Sequence, residues 1–211
     1  MPWQVAPAGD RALLVTLGTT IRPELLAAVL SLEQELTKRP PAGLLRTVGS
    51  YGSLLCHYDP MATSATRLAD EIVTLEGRVS ATLPSSSIVD VPTRYDGPDL
   101  EEVAAATHLS RHEVVGLHAG REYLVFCVGF APGFTYCGEL PVELAVARRP
   151  SPRRTVPAGS VGIAGRQTGI YAVESPGGWN LIGRTALKLF EAGADPPARF
   201  KPGDRVRFVP E

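Results

Sequence analysis

Apolar residues recur with two different periods along this chain, and the change from one to the other marks out its elements. Near the N-terminus, Trp3–Val5 and Ala12–Leu17 read as strands, the second a short apolar run between Gly9 and Gly18. Apolar positions then fall at Leu25, Val29, Leu32 and Leu36, a helical spacing that predicts a helix over Pro23–Thr37, stopped by Pro40 and Pro41. Leu44–Val48 and Ser53–Tyr58 return to strand character on either side of a turn at Gly49–Gly52. Asp59-Pro60 is read as the opening of a second helix, with Ala65, Leu68, Ile72, Leu75 and Val79 on one face. The order ββαββα predicts two amphipathic helices laid on one face of a small, mostly antiparallel sheet.

Thr82–Ser87 (TLPSSS) reads as a linker, which places the expected domains at residues 1–82 and 83–211. Beyond it, Ile88–Val91, Tyr123–Val128 and Asp204–Val209 read as strands. Asp99-x-x-Glu102 and Ser110-x-x-Glu113 match the capping-box pattern and predict two short helices, DLEEVAAATH and SRHEVVGLHAG. Between Gly129 and Thr185, glycine and proline crowd among alternating apolar residues. That pattern predicts short strands and shaped turns, a barrel or sandwich whose loops carry function.

Composition narrows the function classes. With 21 basic and 22 acidic residues the net charge is −1, which excludes wholesale nucleic-acid binding by phosphate neutralisation. Lys38, Lys188 and Lys201 are the three lysines, so a titrating lysine has few candidates. Cys56, Cys127 and Cys137 lack paired spacing and suggest a reducing compartment. No stretch reaches the length of a membrane span and the N-terminus lacks a signal-peptide pattern, so a cytoplasmic location is expected.

Several constellations carry chemistry. His108 and His112 have helical metal-ligand spacing, but Ser110 reads as a helix cap between them and no HExxH pattern completes a site, so no metal is expected. His118 ends a helix and is a candidate acid/base. Phe130, Phe134 and Tyr136 surround Pro132 and Gly133 as either a packed hydrophobic corner or the aromatic wall of a small-molecule cleft. Arg148, Arg149, Arg153 and Arg154 lack acids nearby in sequence and are either a solvated loop or a carboxylate or phosphate grip. VPAGSVGIAG, with Gly159, Gly162 and Gly165, suggests an anion nest. Trp179 is either a hairpin tip or a docking anchor. Neither GxxxxGK[ST] nor GxGxxG occurs.

Taken in order, YDGPDLEEVA, HEVVGLH, GFAPGFTY, the arginine-rich segment ending in VPAGSVGIAG, QTGIY, SPGGWNLIGRT and GDRVRF resemble one family. It is variously called the B subunit of 5-oxoprolinase, kinase A inhibitor and allophanate hydrolase subunit 1, of the carboxyltransferase subdomain C/D type. Ala147, Ala172 and Ala186 stand at usual proline positions of that pattern, and Cys137 where leucine is frequent. The resemblance implies an α+β fold, with a small ferredoxin-like N-terminal sandwich and a C-terminal cyclophilin-like β-barrel. It implies a role in ATP-dependent opening of 5-oxoproline to glutamate, with ATP bound somewhere in the complex. The implied partners are the enzyme's C subunit (the allophanate hydrolase subunit 2 homologue) and its A subunit. A kinase-inhibitor role and a carboxyltransferase role in a urea carboxylase-like enzyme are the alternatives. The Ser–Ser–Lys amidase constellation has no counterpart in the chain.

The residue types then suggest roles. Arg153 would grip a carboxylate or phosphoryl oxygen, and backbone amides near Gly159 and Ser160 would stabilise an oxyanion. His118 or Tyr136 would move protons. Gln167, Thr168 and Tyr171 would orient substrate beside Phe130, Phe134 and Trp179.

Overall fold

The computed structural model describes residues 2–83, 85–86 and 88–211. Two units, residues 1–85 and 86–211, each hold their own core. Pro84 and Ser87 of the expected linker lie outside the described residues.

The first unit runs β1 (Gln4–Pro7), β2 (Ala12–Thr16), α1 (Pro23–Lys38), β3 (Leu44–Ser50), β4 (Ser53–Tyr58) and α2 (Ala65–Val73). The sheet order is β1-β2-β4-β3, antiparallel throughout. Leu13, Val15, Leu54 and Cys56 point to one face, where Val29, Leu32 and Leu36 of α1 and Leu68 and Ile72 of α2 bury against them. The second helix does not open at Asp59-Pro60. Asp59 instead accepts the Met61 N–H at 2.9 Å in a turn, and the helix starts after Ser64, whose hydroxyl caps the Arg67 N–H. An aspartate before proline stabilised a local turn here, and the true cap lay five residues on.

The second unit runs β5 (Ile88–Thr93), α3 (Leu100–Thr107), α4 (Arg111–Ala119), β6 (Glu122–Val128), β7 (Thr135–Gly138), β8 (Arg153–Val156), β9 (Ser160–Ala164), β10 (Gln167–Ile170), β11 (Ser175–Gly177), β12 (Asn180–Arg184) and β13 (Arg205–Pro210). Seven strands form one sheet in the order β12-β9-β10-β7-β6-β13-β5. It curls until its two edges touch: Arg94, just past β5, exchanges two backbone hydrogen bonds of 2.8 and 2.9 Å with Arg184 at the end of β12. β8 and β11 pair separately as a ribbon.

Strand alternation sorts this unit's interior into two clusters. Tyr123, Val125, Cys137, Ile163, Ile170 and Phe208 join Leu100, Val103 and Val114 of the helices in the larger one. Phe134, Val156, Ala164, Tyr171, Trp179 and Leu181 form the smaller, aromatic one. The two clusters take opposite faces of β7 and β10, since Cys137 and Ile170 belong to the first while Tyr136 and Gly169 lie against the second.

Candidate functional site

Phe134 is the hub of the aromatic cluster. Its ring lies 4.5 Å from Tyr136, 4.8 Å from Tyr171 and 5.5 Å from Trp179, centroid to centroid, in tilted and edge-to-face arrangements. Phe134, Tyr171 and Trp179 are buried, so the corner is packed as a core would be. Its outer edge is open. A cleft of about 230 Å³ is lined by Phe130, Phe134, Tyr136, Tyr171 and Trp179, with Pro152, Gly177 and Gly178 on the rim. The aromatic corner is therefore both packed cluster and cleft wall. Phe130 is 70% exposed, its ring 6.0 Å from that of Phe134. Its backbone sits at φ 73°, a left-handed conformation costing a non-glycine residue on the order of 1–2 kcal/mol. The Gly129–Phe134 hydrogen bond across the turn holds it there.

Arg148 supplies the cleft's cation. No carboxylate lies within ion-pair distance of it among the described residues. Burial pushes the Tyr136 hydroxyl above its ordinary pKa, with the Arg148 charge acting in the opposite direction. Tyr171 behaves likewise, and its hydroxyl also meets the backbone of Trp179. At neutral pH both phenols keep their protons.

Two other arginines of the cluster make ion pairs elsewhere. Arg153 lines a separate cleft of about 440 Å³ with Asp96, Thr155, Ser160 and Arg184. Its Nη2 donates at 2.6 Å to Oδ1 of Asp99, and Arg149 Nη1 donates to the same oxygen at 2.7 Å and to Glu102 at 2.8 Å. The acids absent from the local sequence arrive from α3 (Glu102) and from the residue just before it (Asp99). Arg153 is thus ion-paired with Asp99 through Nη2, while its buried Nη1 lacks a hydrogen-bond partner among the described residues, and Arg148 faces the aromatic cleft. Asp99 in turn is no capping-box residue: its side chain makes no cap hydrogen bond, because its carboxylate faces these arginines and the Leu181 N–H. The other box, Ser110 with Glu113, is formed.

Two further expectations are corrected. The anion nest does not form, because its amides are spent internally. Gly159 N–H donates to Tyr171 O at 2.7 Å, Ser160 N–H to Pro157 O and Gly165 N–H to Val146 O. His118 and Thr168 lie on the other face of the sheet from the aromatic cleft. His118 has no solvent exposure and packs on Tyr123 and Phe208. Its Nε2 is 2.8 Å from Thr168 Oγ1, and Thr168 donates its own proton to Gly162 O, so Nε2 carries the hydrogen. Nδ1 then accepts from the Tyr95 hydroxyl at 2.7 Å. Burial lowers the His118 pKa to about 3. A neutral imidazole with both nitrogens engaged and no access to solvent holds the core together. Gln167 opens β10 on the same face as Gly169 but beyond the cleft lining.

Among the described residues, no group of three or more His, Cys, Asp or Glu is placed to hold a metal ion. No described helix is long and apolar enough to cross a membrane. Sequence reasoning missed Asp99 and Tyr95 and gave Arg148 no role of its own. The arginine run held the only signal for Arg148, since neighbours that alternate along an extended segment face different ways.

Comparison with known proteins follows the whole chain. The family model "Carboxyltransferase domain, subdomain C and D" matches residues 3–200. A Bacillus subtilis (strain 168) protein, named as the B subunit of 5-oxoprolinase, is 36% identical over 228 residues, covering 98% of this chain and 92% of its own. An Escherichia coli O157:H7 protein of the same name is 52% identical over 131 residues, 61% of this chain and 60% of its own. The crystal structure of TTHA0988 superposes with a TM-score of 0.84 at 38% identity, over 95% of this chain and 40% of that one. This chain thus spans about two fifths of that solved one.

Proposed function

The chain belongs to the family of carboxyltransferase domains, subdomain C and D, and from that membership we propose that it is a subunit of an ATP-dependent 5-oxoprolinase. The observation carrying this reading is the end-to-end similarity to the B. subtilis protein of that name. The reaction adds water across the lactam C–N bond of 5-oxoproline to give glutamate, driven by ATP hydrolysis. The aromatic cleft suits such a substrate. Its volume lies below the range of drug-sized ligand pockets and matches a small ring. Phe134, Tyr136 and Trp179 pack the flat lactam, Arg148 takes the carboxylate, and the protonated Tyr136 hydroxyl donates toward the lactam oxygen. On this reading ATP is bound within the complex, and the sequence has no standard glycine-rich phosphate loop to hold it. The A and C subunits of 5-oxoprolinase are the partners that complete the enzyme in the cytoplasm, and this chain alone is inactive.

The finer fold reading belongs here too. The string ββαββα is the ferredoxin-like βαββαβ string rotated by one strand, which supports a ferredoxin-like first unit. The curled sheet whose edges meet at Arg94 and Arg184 supports a cyclophilin-like barrel for the second.

The test is ATP-dependent glutamate release from 5-oxoproline by the co-expressed complex of all three subunits. Activity should require all three chains. Arg148→Ala should raise KM for 5-oxoproline about tenfold or more, the worth of one charge-assisted hydrogen bond. No activity with both partners present would overturn the reading. The family's name supports a second reading, carboxyl transfer, which would show itself as dependence on a biotinylated partner.

A further inference from the structure

Three of the segments that line the aromatic cleft are the loop carrying Arg148, the entry to β8 at Pro152, and Gly177–Trp179 leading into β12. One buried carboxylate is attached next to each of them. Asp99 is 1% exposed. Its Oδ1 accepts from Arg149, the neighbour of Arg148, and from Arg153, the neighbour of Pro152. Its Oδ2 accepts the N–H of Leu181, two residues beyond Trp179, at 2.6 Å, and its own N–H returns to Leu181 O at 3.0 Å. Arg148 is bracketed further. Asn180 Nδ2 donates to Ala147 O at 2.8 Å, and Arg149 N–H donates to Gly178 O at 2.8 Å. The residues on both sides of Arg148 are pinned, while its own side chain is turned to the cleft.

We infer that Asp99 is the positioning residue of the cleft, holding Arg148 at the distance from the aromatic wall that a small carboxylate ligand requires. The inference rests on the reading that this cleft binds 5-oxoproline through Arg148. A carboxylate is suited to the task because it accepts from two guanidinium groups and an amide at once, in fixed directions. An amide side chain keeps the size of Asp99 but turns NH2 toward one of its three donors. The loop would then relax away from β12 and Arg148 would leave its ligand. Glu102, which also accepts from Arg149, is two-thirds exposed and cannot replace this anchor.

The experiment is a double-mutant cycle in the assembled enzyme of three chains, with KM and kcat for 5-oxoproline measured separately. Asp99→Asn should raise KM about tenfold with kcat little changed, as expected when a ligand-orienting charge is displaced. Combined with Arg148→Ala, it should add no further KM increase, since both changes remove the same contact. Arg149→Met serves if Asp99→Asn does not fold. It leaves the Arg153–Asp99 pair in place, frees only the Arg148 side, and should likewise raise KM without adding to Arg148→Ala. If Arg148→Ala alone leaves KM unchanged, the cleft reading itself fails. If Arg148→Ala raises KM but the clamp variants do not, or if their effects multiply with it, Asp99 has no positioning role and the inference is overturned.

Discussion

A buried histidine answers to pH through its neighbours. The Tyr95–His118–Thr168–Gly162 chain uses both imidazole nitrogens, and burial lowers the His118 pKa to about 3. The unfolded imidazole titrates near 6.5, so between those values the unfolded chain binds one more proton than the folded one. The stability that neutral His118 supports is complete above about pH 6.5 and falls as the pH drops toward 3. His118→Gln removes that proton uptake. The stability advantage of the wild type over the variant should shrink by up to ~1.4 kcal/mol per pH unit between pH 6 and 4, read from urea titrations. Parallel curves would contradict the assignment. The sequence makes His118 conspicuous but cannot tell a reactive histidine from a buried one, because Tyr95 and Thr168 reach it from 23 and 50 residues away. The Arg153 ion pair is hidden from the sequence for the same reason, its partner Asp99 standing 54 residues away.

The turns around the aromatic cluster are where glycine is irreplaceable. A Cβ on Gly177 of β11 would run into the Tyr171 ring, and Gly159 has φ 82° with the Thr185 carbonyl where its Cβ would stand. Gly159→Ala should therefore destabilise the second unit by about 2 kcal/mol or more, from backbone strain plus the carbonyl clash. Gly116, inside α4, faces open space. Gly116→Ala should stabilise by about 0.5–1 kcal/mol through helix propensity. Opposite shifts of the thermal midpoint would be observed, and equal signs would refute this account of the turns. At this scale periodicity is a good guide: the Leu25, Val29, Leu32, Leu36 stripe falls in α1 and buries in the core apart from a partly buried Leu25. End signals are poorer guides. Asp99 fits a capping pattern and Asp59-Pro60 fits a helix opening, yet each carboxylate found a stronger partner elsewhere, Asp99 in two arginines and Asp59 in a turn. A local motif states what a side chain can do, and tertiary competition decides what it does.

At the scale of the molecule, a core is legible where burial follows strand or helix period and illegible where distant loops converge. The two apolar cores follow period, so the division into an α+β first part and a β-rich second part could be read from the chain. The cleft depends on the convergence of residues 130, 148, 152 and 177–179, and no spacing rule encodes that. We propose that each unit is also a folding domain. Leu13, Val29, Leu32, Leu54, Leu68 and Ile72 are fully buried within residues 1–85, and Tyr123, Phe126, Ile163, Ile170 and Phe208 within residues 86–211. Each such side chain contributes roughly 1.5–3 kcal/mol on burial, and each core is built from its own unit's residues. Residues 86–211 expressed alone should then unfold in urea in one cooperative transition. That transition should respond to Gly159→Ala, and not to Leu32→Ala when the same changes are made in the full chain. A fragment that fails to melt cooperatively, or a full chain in which Leu32→Ala and Gly159→Ala shift one shared transition, would show that the two units fold as one.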